Sequence, residues 1–381
     1  MTVRDPSIEG YLLDRPDKLA ALRALTDLSC VTIDTTLFKY RRLLPLALRY
    51  AYWAVAPGGR IVIRDHTGPN PQAPAFEAPF NMVRQWVFKT LGRDAEVAGF
   101  DPSGRIELVR RTPVAAGGWS AGVVFSGRDG ELADLRRCLD GLMLQPELSR
   151  AQGGEIVVSA PPGARPDWFD LYPDVRCLDY ETPPGARFLI GRKKNALIEA
   201  LRGPRVAILH ARIVLSAGAL AAVPREFDIL SPNVFAVEGG VTRTYLSLAS
   251  APEPTLGALP KGPIVNLRNI PSRDPLALHS RGGVFVDGGC FFTTRALHAE
   301  CPLDDALGWE EGEDLEWCAR ALAHGYISDI ALGAHAVSST SKYRPRPKLG
   351  ILETPAEQLV RGVRQLRARA VDSLGRMAGR R

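Results

Sequence analysis

The sequence predicts an α/β protein in two units, the larger built on a mostly parallel sheet and the smaller, N-terminal one also mixing helices and strands. Three observations predict this. Short apolar strands alternate with amphipathic helices from Trp119 onward. Proline- and glycine-rich turns follow the strand ends, as at Ala160–Gly163 and Pro183–Gly185. The small-residue stretch Pro113–Ser120 (PVAAGGWS) separates two regions of different pattern.

Asp5 to Leu28 reads as a polar helix with Leu19, Leu22 and Leu25 on one side, and Cys30–Asp34 as a strand. A helix from Leu43 to Trp53 ends at Ala56-Pro57-Gly58-Gly59, before the apolar strand Arg60–Asp65. Phe80–Leu91 and Gly104–Arg110 supply a last helix and strand. This helix, Pro-Gly-Gly turn and strand ending in Asp resemble the second half of class I S-adenosylmethionine methyltransferases. No Gly-rich turn with an acidic partner precedes Pro57, so the cofactor cradle is missing and no S-adenosylmethionine is expected. Residues 1–115 are expected to be a degenerate methyltransferase-like domain kept for packing, dimerisation or partner contact.

In residues 116–341, Trp119–Ser126 reads as a strand running into Gly127-Arg128-Asp129-Gly130. Leu132, Leu135, Cys138, Leu139 and Leu142 mark a helix. Glu155–Ser159 and Val175–Asp179 are further strands, and parallel strands of this kind hold ligands along their C-terminal edge. Gly191-Arg192-Lys193-Lys194-Asn195 opens a helix with three cations where the dipole disfavours them. A bound anion would offset that cost, and a solvated basic turn is the alternative. The strand Arg205–Leu209 delivers His210-Ala211-Arg212. Pro224–Pro275 is Pro/Gly-rich with short strand pieces at Val234–Val237 and Thr244–Leu246.

The stretch Asp287–Ser338 carries the densest chemistry: Gly288-Gly289, then Trp309-Glu310-Glu311-Gly312-Glu313-Asp314-Leu315-Glu316-Trp317. Leu315, Cys318, Ala319, Leu322 and Ala323 predict a helix starting near Asp314, closed by Gly325. Acidic residues in a first turn suit the helix dipole, and carboxylates framed by tryptophans equally suit an acid/base site.

The glycine pair, Arg295, W-x-E-G-E-D-x-E-W, Arg320 and Gly325 resemble the C-terminal half of GT-A glycosyltransferases, family-2 enzymes and the galactosyltransferase type in particular. The resemblance spans roughly residues 119–340 and implies a GT-A nucleotide-sugar domain. It implies Asp314 as the base that deprotonates an acceptor hydroxyl and Glu313 as the residue that holds the acceptor. By position, Ser126, Arg128, Asp179, Lys193, Lys194, Asn195, His210 and Arg212 would contact the donor. Gly288, Gly289, Trp309, Glu311 and Trp317 would line the acceptor. The family carries Asp-x-Asp where this chain has His210-Ala211-Arg212, which puts the divalent metal (Mn or Mg) in question. His210 is open as a metal ligand, a phosphate donor or a strand-end histidine, and His335 matches a late metal-binding histidine. Arginine cannot ligate a metal but can stabilise a leaving phosphate directly.

The net charge of +6 is local: residues from Lys342 onward hold an excess of +8, so the body is near neutral and no nucleic-acid partner is implied. In that tail, residues 342–381, Leu359, Val363, Leu366, Ala370 and Leu374 form an apolar stripe beside arginines. A basic amphipathic helix over 355–377 suits an anionic membrane surface, a dock on the first domain or self-association. No run is apolar enough to span a bilayer, and the start is charged instead of signal-like. Six cysteines without C-x-x-C spacing argue against a zinc cluster and for a reducing cytosol. The expectation is a cytoplasmic, inner-membrane-peripheral enzyme of cell-surface polysaccharide or glycoconjugate synthesis. It would move a sugar, with inversion, from a nucleotide-diphosphate donor to a glycan or lipid-linked acceptor. The alternatives are a non-catalytic nucleotide-sugar scaffold and an S-adenosylmethionine-dependent methyltransferase.

Overall fold

The computed structural model describes residues 10–34, 43–64, 80–101, 104–111, 117–182, 187–238, 240–251, 265–267, 274–308 and 311–340. Asp65, Trp309, residues 113–116 of the linker and the basic tail, where a helix is expected over 355–377, lie outside them.

The N-terminal elements are β1 (Tyr11–Leu13), α1 (Pro16–Leu22), β2 (Leu28–Asp34), α2 (Leu44–Ala54), β3 (Val55–Arg64), α3 (Phe80–Leu91), β4 (Ala95–Asp101) and β5 (Arg105–Arg110). They form a five-stranded sheet in the order β1-β2-β3-β5-β4. β1, β2 and β3 run parallel, and β5 is antiparallel to both β3 and β4. The helix expected over 5–28 is replaced, among described residues, by β1 and a shorter α1. Pro16 explains this: it is tolerated in a first helical turn and forces the residue before it into extended backbone, which is where Arg15 lies. The Pro-Gly-Gly turn belongs to β3 itself, as an irregular bulge between the pairs Leu28–Val55 and Cys30–Arg60, with Gly58 at φ +79°.

The second group comprises β6 (Trp119–Val124), α4 (Leu132–Met143), β7 (Glu155–Ala160), β8 (Val175–Asp179), α5 (Ile190–Ala200), β9 (Arg205–His210) and β10 (Ile213–Leu215). It continues with β11 (Ile229–Glu238), β12 (Val241–Thr244), β13 (Leu248–Ala251), β14 (Val265–Asn266), α6 (Pro275–His279) and β15 (Gly283–Val286). β16 (Cys290–Thr294), α7 (Arg295–Glu300), α8 (Glu313–Ala323) and β17 (Ser328–Ser338) complete it. A nine-stranded sheet runs β10-β17-β11-β16-β9-β6-β7-β8, with β12 on β11, and β14-β13-β15 form a small third sheet. The block β9-β6-β7-β8 is parallel, as expected, and the other half is mixed because β16 is antiparallel to both β9 and β11.

β11 is longer than the strand piece expected at 234–237 and pairs along most of its length with β17. It tolerates Pro232 because the register shifts between Pro232 and Asn233. α4 packs Leu135, Cys138, Leu139 and Leu142 under one face of the large sheet. α5, α7 and α8 cover the other through Leu197, Ile198, Leu297, Trp317 and Cys318. α8 ends in a Schellman turn: Gly325 at φ +88° donates to Leu322 O and Tyr326 donates to Ala321 O.

The two sheets meet in a seam of buried charge. Arg49 on α2 donates from Nε and Nη2 to Asp228, and from Nη1 to Asp94 at 2.5 Å. Asp228 also accepts from Ile327 N at 3.0 Å. Tyr50 donates to Asp329 on β17, which also pairs with Arg23 at 3.1 Å. Ile327 joins the N-terminal core, and Gly325 lies against the Lys89 carbonyl, where a side chain would not fit.

Candidate functional site

Parallel pairing brings the C-terminal ends of four strands to one edge. Val124 pairs with Ser159 and His210, and Ala160 with Asp179. Just beyond these ends lie Ser126 and Arg128, both exposed, and Arg212, half-buried. Ser126 Oγ donates to Glu131 Oε2 at 2.7 Å, and Asp179 is exposed at the far end of the edge. β16 runs the other way, so its entry, Asp287-Gly288-Gly289, arrives at this same edge. His210 N donates to Gly289 O at 2.9 Å.

The glycine pair is where the site converges. A Cβ at Gly288 would lie 2.7 Å from Glu313 Oε1, 2.9 Å from Lys194 Nζ and 3.2 Å from Asp314 Oδ2. A Cβ at Gly289 would lie 2.6 Å from Asp287 Oδ2 and 2.8 Å from Arg212 Nη2. No other residue type fits at either position without displacing these groups. Gly288 N donates to Asp314 Oδ2 at 2.7 Å, and Leu315 N to Asp314 Oδ1 at 2.9 Å, so the carboxylate is aimed by two backbone donors. Gly312, in the left-handed region at φ 76°, turns the chain into α8. The helix begins with Glu313, Asp314 and Glu316 in its first turn, where the dipole favours acids.

Arg212 Nη1 lies 2.8 Å from His210 Nδ1, and Nη2 donates to Tyr245 Oη at 3.2 Å. A guanidinium can only donate, so His210 Nδ1 accepts and a neutral imidazole carries its proton on Nε2. Burial works against the Arg212 charge, but the Tyr245 phenol and the Asp287 carboxylate outweigh it and hold the guanidinium above its ordinary range. Tyr245 and Asp287 are functional neighbours the sequence reading passed over: Asp287 reads as part of a D-G-G turn, and Tyr245 as a strand residue.

Several expected contacts are redirected. Lys193 is buried and donates to Phe125 O at 2.6 Å; burial pushes its ammonium down to about 8, with Glu131 opposing. Lys194 is fully buried and paired with Glu313 Oε1 at 2.7 Å. Neither is therefore an open phosphate cradle. Asn195 clamps the loop after α7, donating to Leu303 O and Asp305 Oδ1 while its Oδ1 faces Leu303 N and His298 Nε2. Trp317 is a core residue and not an acceptor wall: it is inaccessible, packs on Phe291 and donates to Cys301 O at 2.7 Å. Glu311 is exposed and paired with Arg187 and Gly308 N. Trp309 lies outside the described residues.

A divalent metal does not fit the donors present. His210 and His335 belong to strands separated by β16 and β11, roughly 14 Å apart at about 4.8 Å per strand. Ligands to one ion sit within about 4 Å of each other. The Arg212 cation occupies the His210 Nδ1 face, and no group of three His, Cys, Asp or Glu among the described residues could hold an ion. His335 is exposed and stacks loosely on Phe235. A cavity of about 60 Å³ lies at the seam, lined by Arg23, Trp53, Arg110 and Glu226, and is of water size, far from the strand-end edge.

No family profile matches the chain, and no curated protein matches it in sequence. Among solved structures, it is similar to S. aureus TarS 1–349 at 16% identity and TM-score 0.36, over 59% of this chain and 58% of that one. The same protein in complex with UDP-GlcNAc gives 13% identity and TM-score 0.38, over 59% and 60%. GalNAc-T7 with UDP, GalNAc and Mn2+ gives 16% and 0.46, over 75% of this chain and 56% of that one. The chain thus spans somewhat over half the length of these compared chains, and 35% of the longer TarS chain. No helix among the described residues is long and apolar enough to cross a membrane.

Proposed function

We propose that the chain is an inverting glycosyltransferase of GT-A type, moving a sugar from a nucleotide-diphosphate donor to a hydroxyl of a glycan or lipid-linked acceptor. One observation carries this: Asp314 and Arg212 face successive glycines, so a base and a fixed cation flank a single peptide unit, about 3.8 Å between Cα atoms. A single displacement uses those two groups, one for the proton of the attacking hydroxyl and one for the charge on the departing phosphate. Asp314 takes the proton of the acceptor hydroxyl as its oxygen bonds to the anomeric carbon. The bond from that carbon to the phosphate oxygen breaks, and the nucleoside diphosphate leaves with the electron pair. Arg212, with His210 behind it, neutralises the charge that develops there. No step is routed through a metal.

Asp314→Asn keeps one oxygen, for either the Gly288 or the Leu315 amide, and cannot accept the proton. Turnover of a panel of UDP-, GDP-, TDP- and CMP-sugars, assayed as transfer or hydrolysis, falls by about 10²–10⁴. Nucleotide binding by calorimetry stays unchanged. Retained turnover rejects the assignment.

The unit over 1–115 is proposed as the truncated second half of a methyltransferase fold. The reversal of β5 between β3 and β4 supports that reading. The membrane and cell-surface readings rest on the sequence of the basic tail alone.

A further inference from the structure

We infer that Lys194 is a positioning residue for the base: its buried ammonium pins Glu313 and keeps Asp314 ionised from beneath Gly288. The inference rests on the glycosyl-transfer reading above and assigns a role to a side chain that touches no substrate. Lys194 projects from α5, and its Nζ has no solvent exposure. Its ion pair with Glu313 Oε1, at 2.7 Å, joins residues 119 positions apart. The same ammonium and both carboxylates approach one point, the missing Cβ of Gly288, at 2.9, 2.7 and 3.2 Å. The cation that pairs with Glu313 therefore lies within about 6 Å of the Asp314 carboxylate, the sum of their distances to that point, and offsets the repulsion between the two adjacent acids. In a setting this dry, an opposite charge favours the ionised form of an acid by roughly one to three units.

The charged groups around Asp314 can be named element by element. Glu313 lies on its own helix and Lys194 comes from α5. Asp287 and Arg212 lie across the glycine pair, and the Cys318 thiol, on the next turn of α8, senses the Asp314 charge. Among these groups, Lys194 lies on the Asp314 side of the glycines and Arg212 beside Gly289. Removing Lys194 should therefore raise the proton affinity of the base without touching the groove that takes the diphosphate. A base must be deprotonated to act, so the acid limb of the rate profile moves upward.

The test is the pH–rate profile of nucleotide-sugar turnover for wild type, Lys194→Met and Lys194→Arg, beside calorimetric binding of the nucleoside diphosphate and thermal melting. The expected result for Lys194→Met is an acid limb displaced upward by about one unit or more, a fall in kcat, and unchanged nucleotide affinity. Lys194→Arg restores the limb. An unshifted limb in a folded Lys194→Met overturns the proposal. If that variant does not fold, Glu313→Gln is compared with the double variant Lys194→Met/Glu313→Gln, in which no carboxylate at 313 is left unpaired. A higher limb in the double supports the role, and coincident limbs overturn it. A wild-type protein that neither binds nor turns over any donor removes the glycosyl-transfer reading itself, and this proposal with it. Turnover with an unmoved limb removes this proposal alone.

Discussion

Two buried charge clusters hold this molecule together, and they differ in what covers them. At the seam, Arg49, Asp228, Tyr50 and Asp329 are all 6% exposed or less, and large side chains from both sheets close over them. At the strand-end edge, Lys194 is inaccessible and Glu313 is 9% exposed, with Gly288 against both, and Asp314 and Arg212 beside the glycine pair stay half-buried. The chemistry is the same and the lid differs. Closed by side chains, paired charges join two sheets; beside glycine, a carboxylate and a guanidinium stay partly open at the strand-end edge.

The largest expected effect breaks the seam. Arg49→Met leaves Asp228 buried beside only the Ile327 amide, at a cost of about 3–5 kcal/mol read by denaturant unfolding. Arg49→Met/Asp228→Asn recovers most of that loss. If Arg49→Met unfolds like wild type, the seam is not sealed.

Acid should separate the two regions next. Burial, with Arg295 adding to it, pushes the His298 imidazole down to about 4, below its unfolded value of about 6.5. The folded state holds it neutral, so its stability is full above pH 6.5 and drains away as pH falls toward 4, by about 3 kcal/mol. Asp329 in the seam behaves differently. Burial alone would raise the Asp329 carboxyl, but Arg23, His279 and Tyr50 outweigh it and hold it below its ordinary value. Its contribution persists above about pH 4 and is lost only below. Melting curves between pH 7 and 4.5 should therefore fall for wild type and flatten for His298→Gln. The smallest effect is no effect: EDTA leaves nucleotide-sugar turnover unchanged, because the cation at the edge is Arg212. Loss on chelation with recovery on added Mn2+ would contradict that.

Strand alternation, the α8 start and its glycine stop were legible because each depends on local periodicity or one backbone angle. β11 was cut short because Pro232 reads as a strand breaker, and only the register shift against β17 accommodates it. Within the site, Asp314, Glu313, Arg212 and the glycine pair were legible as residue types at a spacing. The partner of Lys194 was not. A lysine in K-K-N reads as solvated or phosphate-facing, and nothing local to it encodes a glutamate on a different helix. Trp317 misled for a related reason. Flanking a carboxylate in sequence suggests a wall, but on a helix the third residue after Asp314 turns toward the core.

The place of β16 bears on how the chain is made. It lies between β9 and β11 in the large sheet yet follows β9 by some 80 residues. During synthesis at about 5–20 residues per second, the edge of β9 waits roughly 4–16 s for its neighbour. Over that interval an apolar strand (Val206–Leu209) is an open template for another nascent chain. Long-range closure of this kind is slow, and it is the step at which the growing chain is most exposed to aggregation.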